Sequence, residues 1–386
     1  MKVLVIGDII IDRYIYGTAS RLSPEAPVPV VEQNSVSDSL GGAGLVYENL
    51  KSLGVDVDLY DIEQPCSVKT RVFCDGHYLT RIDDDTHADS NEVVDSILDQ
   101  SFDKYDYVIL SDYNKGVLDN CTPIIDHLNS FGCRVIVDPK SHADNYSGAW
   151  LVKPNHKEYI ELGFKKWKHN IIVTHASQPV FANIDKVTYN EEIDSVEVSD
   201  VTGAGDCFLA AFVYALTKGY DYAKAIKLAI KGSGESVKHL GTYILKMEDI
   251  EDRVIFANGV FDVLHKGHFE LLKTARTLGN RLVVGINSDL SVKRLKGADR
   301  PINNEQVRKA QLESLPWVDE VIIFEENTPY NVISKIQPHT IVKGGDYKQE
   351  QVVGNDIAEV YTVPRIDGYS TTNVLEMQYE NSSNRT

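Results

Sequence analysis

The sequence predicts an α/β protein of two domains, each built on a largely parallel sheet. Three observations carry this. Strand-like apolar runs alternate with helix-periodic runs almost throughout, the pattern that βαβ units leave in a sequence. At 386 residues the chain is longer than one ordinary core serves. A second α/β series begins at Arg253, after the polar stretch Lys246-Met-Glu-Asp-Ile-Glu-Asp252. The expected domains are residues 1–248 and 252–380, with 381–386 a disordered tail of small polar residues.

In the first domain, Val3–Ile6, Val55–Tyr60, Tyr107–Leu110, Val135–Val137 and Ile171–Thr174 are short, β-branched and apolar, as buried strands are. Helical periodicity covers about Gly44–Leu53, Asn91–Gln100, Asp119–Phe131 and Ala204–Leu216, with Gly54 and Gly132 as stop signals. Ser67–Cys74 and Tyr78–Ile82 flank Asp75-Gly76, a hairpin turn. In the second domain the expected strands are Val254–Ala257, Leu282–Ile286, Glu320–Phe324, Thr340–Val342 and Glu359–Thr362. The helices between them are Gly267–Leu278, Glu305–Ser314 and Pro329–Ile336.

Charge narrows the partners. Residues 1–250 hold 23 Lys and Arg against 38 Asp and Glu, and the whole chain has a formal net charge of −18. So acidic a surface argues against nucleic acid, which demands a positive footprint. Small phosphorylated ligands need only a local patch or helix N-terminus. No stretch reaches the roughly 18 apolar residues of a spanning helix, so no membrane partner is expected. The five cysteines, Cys66, Cys74, Cys121, Cys133 and Cys207, are odd in number and lack a C-x-x-C pair. They read as reduced thiols of a cytoplasmic protein.

Two segments carry chemistry. After the strand ending at Ala257, Asn258-Gly259 opens a turn and a helix starts near His265. His265 and His268 then project from one face of its first turn, beside free amides and the positive dipole end. Gly267 allows a triphosphate close approach to the backbone. Two imidazoles and helix amides can stabilise charge growing on an α-phosphate. A histidine pair at this spacing alone is also a solvated helix start or a metal pair. In Asp200-Val-Thr-Gly-Ala-Gly-Asp206, Gly203 and Gly205 permit a tight turn, so the amides of Gly203, Ala204, Gly205 and Asp206 can line an anion hole. Asp206 is placed to take a proton from an attacking hydroxyl. A helix cap with turn glycines is the bland reading.

His265-Lys266-Gly267-His268 matches the H-x-G-H motif, and Ser370-Thr371-Thr372-Asn373 the S/T-rich helix start, of the cytidylyltransferase-like nucleotidyltransferases. With Asn287-Ser-Asp289, Lys293-Arg-Leu-Lys-Gly297, Arg300-Pro-Ile302, Arg308 and Val342-Lys-Gly-Gly-Asp-Tyr347, residues 253–378 resemble the adenylyltransferase half of the bifunctional heptose kinase/adenylyltransferases of lipopolysaccharide-core synthesis. Upstream, Asp200–Asp206, Gly7-Asp8 to Asp12, Gly41-Gly42 and Asn155-x-x-Glu158 follow the order of the ribokinase-like (PfkB) sugar kinases. Asp12-Arg-Tyr-Ile-Tyr-Gly17, Ser23–Val30, Ser111-Asp-Tyr-Asn-Lys-Gly116, Asp138-Pro-Lys140 and Lys153-Pro-Asn155 resemble the same heptose enzymes.

The resemblance implies a three-layer ribokinase-like domain with a small β lid, followed by a Rossmann-like nucleotidyltransferase domain. It implies that Asp206 is the kinase base, that Asp12, Gly41 and Gly42 bind sugar hydroxyls, and that Asn155 and Glu158 organise phosphates and Mg²⁺. In the second domain it implies that Asn258, Gly259, Phe261, Gly267, Lys343, Gly344 and Asp346 bind the nucleotide or sugar. Lys293, Lys296 and Arg300 would contact phosphates, and Ser370, Thr371 and Thr372 would hold the β- and γ-phosphates. The implied cofactors are ATP and Mg²⁺, the latter brought by the nucleotide. The implied substrates are heptose phosphates, and the implied assembly is a homodimer through the lid.

The first domain departs from the pattern in places. Leu45 stands where the family usually has Asn, the stretch between Asp61 and Ser67 looks shortened, and His175-Ala-Ser-Gln-Pro179 lacks the glycines of the usual nucleotide loop. Two alternatives therefore stay open: a kinase-like half that only binds and dimerises, and a different sugar or polyol phosphate acceptor, served by ATP or CTP.

Overall fold

The structure, a computed structural model, describes residues 1–60, 66–176, 178–193, 195–345 and 347–364. The roles expected for Asp346, Ser370, Thr371 and Thr372, the shortened stretch 61–65 and the tail 381–386 lie outside the described residues. The chain divides into two compact units between Ile250 and Glu251.

Unit 1 begins β1 (Lys2–Gly7), β2 (Ile9–Leu22), β3 (Pro29–Gly42), α1 (Ala43–Ser52), β4 (Asp56–Leu59), β5 (Ser67–Cys74) and β6 (His77–Asp84). It continues α2 (Ser90–Leu98), β7 (Tyr107–Ser111), α3 (Cys121–Ser130), β8 (Arg134–Asp138), β9 (Leu151–Val152) and α4 (His156–Glu161). The last elements are β10 (Asn170–Val173), β11 (Val180–Ile184), β12 (Val187–Glu191), α5 (Ala204–Thr217), α6 (Tyr222–Ser236) and the single turn α7 (Met247–Ile250).

Eight strands form the main sheet in the order β12-β11-β10-β9-β8-β7-β1-β4. From β4 to β10 every pairing is parallel, and β11 and β12 join antiparallel at one edge. Side-chain alternation sorts each strand between two cores. Val3 and Val5 pack with α1, α5 and α6, and Leu4 and Ile6 pack with α2 and α3. This is a three-layer α/β/α domain. Helix α5 is buried from Asp206 to Leu216, which explains its unbroken apolar sequence.

A second sheet, β3-β2-β5-β6, supplies the lid. Strands β2 and β3 are 14 residues each, far longer than the local pattern suggests, because β3 is mostly exposed and carries few apolar residues. The pairing runs from Ile9↔Gly42 to Leu22↔Pro29. Helix α6 and the β11–β12 hairpin were likewise absent from the sequence-based expectation.

Unit 2 holds β13 (Val254–Gly259), α8 (Lys266–Thr277), β14 (Arg281–Asn287), α9 (Asp289–Lys296), α10 (Glu305–Glu313), β15 (Glu320–Phe324), α11 (Tyr330–Ile336), β16 (Thr340–Gly344) and β17 (Glu359–Val363). All five expected strands form, their ends agreeing to within two residues. They make one parallel sheet in the order β15-β14-β13-β16-β17, a Rossmann-like arrangement. Strand order reverses between β13 and β16, so a crevice opens at their carboxyl ends. Helix α9 was not expected; Ser288 caps it by accepting from the Ser291 amide.

Candidate active sites

In unit 1 the site grows from the start of α5. Gly203 sits at φ 75°, and a Cβ there would come within 2.5 Å of Leu45 Cδ2. Only glycine fits this turn without strain. Asp200 pins the turn, accepting from the Thr202 amide at 2.9 Å, its hydroxyl at 2.8 Å and the Gly241 amide at 2.9 Å. Ala204, Gly205 and Asp206 then open the helix, where first-turn amides have no carbonyl inside the helix to bond.

Asp206 is 3% exposed. The Tyr113 hydroxyl donates to both its oxygens, at 2.7 and 2.9 Å. Burial, and next the neighbouring Asp138 carboxylate, push the Asp206 pKa up to about 7. A base poised there takes a hydroxyl proton near neutrality. Asp138 forms a buried ion pair with Lys153 at 2.9 Å, and Lys140 pairs with Glu158. Asn155 caps α4 in a reciprocal box: its side chain accepts from the Glu158 amide at 3.0 Å, and its amide donates to Glu158 at 2.8 Å. Asn155, Glu158, Gly203 to Asp206 and His175 line one cavity of about 850 Å³, large enough for a nucleotide.

The residues expected to bind sugar lie on the lid strands. Asp12, 4% exposed, is paired with Arg71 of β5. A Cβ on Gly41 would stand 2.2 Å from Asp12 Oδ2, so Gly41 leaves the carboxylate its room. Gly42 follows at φ 59° and leads into α1. Asp8, buried after β1, accepts from the amides of Tyr113, Lys115 and Val117. It thereby holds the loop that aims Tyr113 at Asp206.

In unit 2, His265 occupies the N-cap of α8, and the His265 and His268 rings stack with centroids 3.9 Å apart. Burial, then His265, then Lys296 lower the His268 pKa to about 4, so that imidazole is neutral near pH 7. Phe261, buried at φ 48°, packs its ring 5.0 Å from His268. Gly267 lies in the first turn of α8. Lys343, at the end of β16, donates to Asn258 Oδ1 at 3.1 Å beside Gly259, bridging the crevice where strand order reverses. Gly344 ends β16 beside it. Lys293 and Lys296 are exposed in the last turn of α9. Arg300 is turned to the buried Asp262 at 3.3 Å.

The comparisons match this division. The pfkB family carbohydrate kinase model matches residues 109–249, and the cytidylyltransferase-like model residues 256–385. Bifunctional protein HldE of Nitratiruptor sp. is 35% identical, covering 97% of this chain and 98% of that protein. Bifunctional protein HldE of Aliarcobacter butzleri is 35% identical, covering 98% of each. The chain belongs to the HldE family of bifunctional proteins. It is an enzyme, a transferase joining a sugar kinase domain to a nucleotidyltransferase domain. The first alignment runs over 457 residues, so the HldE relative carries segments that these 386 residues lack. Unit 1 nonetheless keeps the ribokinase-like fold. Phosphofructokinase-2 from Escherichia coli, 15% identical, matches 64% of this chain and 96% of its own with a TM-score of 0.50. Among the described residues no helix is long and apolar enough to cross a membrane.

The sequence sets Tyr113, Asp138, Lys140 and Lys153 within family-like motifs without marking a role for these side chains. A usable signal existed: Asp138 and Lys153 stand at the carboxyl ends of consecutive parallel strands, where α/β enzymes bind ligands.

Proposed function

We propose that this chain carries out two steps of ADP-heptose synthesis. Unit 1 transfers the γ-phosphoryl group of ATP to the C1 hydroxyl of D-glycero-β-D-manno-heptose 7-phosphate. Unit 2 joins heptose 1-phosphate to the AMP moiety of ATP, releasing pyrophosphate. A phosphatase must act between the steps to remove the 7-phosphate. The reading rests on a buried carboxylate titrating near 7 against the Gly203–Asp206 turn, together with the stacked His265–His268 pair at a helix start.

In the first step Asp206 takes the C1 hydroxyl proton, the sugar oxygen attacks the γ-phosphorus and ADP leaves. Amides of Gly203 and Gly205 and the Lys153 ammonium face the charge on the transferring group, and the Ala204 amide, which donates to the Val201 carbonyl at 3.3 Å, joins them once it turns to the phosphate. Asp12, Gly41 and Gly42 hold sugar hydroxyls. Asn155 and Glu158 bring oxygen atoms to the cavity. Mg²⁺ arriving with the nucleotide phosphates would neutralise phosphate charge there. In the second step a sugar-phosphate oxygen attacks the α-phosphorus, while His265, His268 and the α8 amides stabilise the charge that develops. Asn258, Gly259, Phe261, Gly267, Lys343 and Gly344 shape the nucleotide pocket, and Lys293, Lys296 and Arg300 meet phosphates.

The lid exposes Tyr16, Val36, Tyr78, Leu79 and Ile82, an apolar set that a second copy of the chain would cover. The enzyme works in the cytoplasm, where its substrates and reduced cysteines belong. Mass spectrometry of products from heptose 7-phosphate and ATP tests the proposal. A 1,7-bisphosphate is expected without added phosphatase, and ADP-heptose with it. Absence of the bisphosphate sinks the kinase assignment, and a strong preference for CTP sinks the ADP-heptose assignment.

A further inference from the structure

Beyond β9 and β10 the backbones of Asn155 and Thr174 meet in a parallel bridge. The Thr174 amide donates to the Pro154 carbonyl at 3.1 Å, and the His156 amide to the Thr174 carbonyl at 2.9 Å. The next residues, His156 and His175, therefore stand side by side at the carboxyl ends of two adjacent strands. Their ring centroids are 4.5 Å apart, and both residues line the cavity that holds Asp206 and the α5 turn.

The other basic side chains of that lining already have carboxylate partners. Lys140 pairs with Glu158, Lys153 with Asp138 at 2.9 Å, and Lys157 with Glu161 at 4.0 Å. Among the described residues neither histidine ring makes a hydrogen bond or an ion pair, so the two imidazoles are the uncommitted basic groups of the cavity. Burial, then His156, lower the His175 pKa. Asp138, Glu158 and Asp206 line the same cavity, yet the charge that acts on His175 is that of its neighbour. Two charged imidazoles this close repel each other, and an anion against them removes the penalty.

The anion due here is a triphosphate. Its γ-phosphoryl group belongs at the α5 turn, where a Cβ on Gly205 would stand 3.4 Å from Lys153 Nζ. The apolar lining, Val198, Val201, Ile230 and Val237, suits the base. The α- and β-phosphates connect the two, and the histidine pair is the basic group left to meet them. We propose that His156 and His175 draw a proton from solvent to hold the α- and β-phosphates of ATP, so that unit 1 binds ATP more tightly as pH falls.

This inference rests on the kinase reading above. Linkage sets its sign: bound phosphate raises the proton affinity of the pair. The gain is complete below the pKa of the empty site and is lost as pH rises through the pKa of the ATP-bound site. An opposite charge within about 4–6 Å moves a pKa by about 1–3 units, so the KM for ATP should be at least about 10-fold lower at about pH 6 than at about pH 8.

The KM for ATP in 1,7-bisphosphate formation is measured across that range in full-length wild type, the double variant His156→Gln/His175→Gln, and His175→Arg. The ionisations of ATP and of Asp206 are common to all three, so differences between the proteins read the imidazoles. The double variant keeps hydrogen-bond donors but cannot gain a proton, and should stay near the weak, high-pH value. His175→Arg is charged at every pH and should keep the tight value throughout, which also shows that the altered site still folds. A wild-type pH slope no steeper than that of the double variant would overturn the proposal and leave the kinase reading standing. Weak binding by His175→Arg at every pH would overturn it too. If the wild type forms no bisphosphate at any pH, both readings fall.

Discussion

The Tyr113 hydroxyl donates to both carboxylate oxygens of Asp206, at 2.7 and 2.9 Å, across 93 residues of sequence. Buried near Asp138, that carboxylate is pushed toward its neutral form; the phenol hydrogen bond, followed by the Lys153 and Lys140 charges, favours the charged one. In the proposed kinase step Tyr113 positions Asp206 and keeps it usable as a base near neutral pH, and Asp8 fixes the loop that presents the phenol.

Tyr113→Phe should move the acidic limb of the kinase pH profile. The base works deprotonated, so the rate rises as pH passes through the Asp206 pKa. Removing a donor to the carboxylate raises that pKa, and a hydrogen bond to a charged group corresponds to about one pH unit. The kcat/KM limb for heptose 7-phosphate is expected to shift upward by about that much, with the rate recovering at high pH. A uniformly depressed profile with an unmoved limb would show only a structural role.

Asp206→Asn should remove the base without altering the turn, which Asp200 and the glycines hold independently. A general base contributes about 10²- to 10⁴-fold, and bisphosphate formation should fall within that range. Adenylyl transfer to heptose 1-phosphate in the same preparation should stay at wild-type rate. Retained kinase activity would refute the assigned base.

Local features were legible before the fold. The Gly203–Asp206 turn and the His265–His268 pair each fit within a few consecutive residues, and periodicity found the strands of unit 2 because a parallel sheet buries them on both faces. What stayed hidden depends on chain crossings. Lys153 meets Asp138 only because β9 lies beside β8, and Lys69 faces Tyr113 only through the long β2–β5 pairing. The lid strand β3 escaped because an exposed strand carries little apolar alternation. Asn155 and Glu158 show a different limit: the spacing read as phosphate binding is also a capping box, and the structure contains the box.

His268→Ala should lower adenylyl transfer by about 10²- to 10³-fold, the scale for losing one preorganised charge-stabilising group, while kinase activity persists. Burial and the neighbouring His265 also give a spectroscopic expectation. With its pKa lowered to about 4, His268 should not titrate between about pH 5 and 8 in the unliganded enzyme, the window in which an ordinary imidazole changes charge. An NMR titration with a midpoint in that window would contradict the buried placement.

Arg308 yields the sharpest stability prediction. Its side chain is fully buried and ties three segments around the second site. Nε donates to the Asn303 carbonyl at 3.0 Å, Nη1 to the Val260 carbonyl at 2.7 Å, and Nη2 to the Asn287 carbonyl at 2.9 Å and to Asp289 at 2.7 Å. Arg308→Met keeps the volume but leaves three carbonyls and a carboxylate without their donor, a loss of about 3–5 kcal/mol. In a unit of this size that lowers the midpoint of unfolding by about 10 °C. Because Arg308 touches only unit 2, heating the variant and assaying both activities should show adenylyl transfer lost well before phosphoryl transfer. Simultaneous loss of the two activities would mean that the units unfold as one.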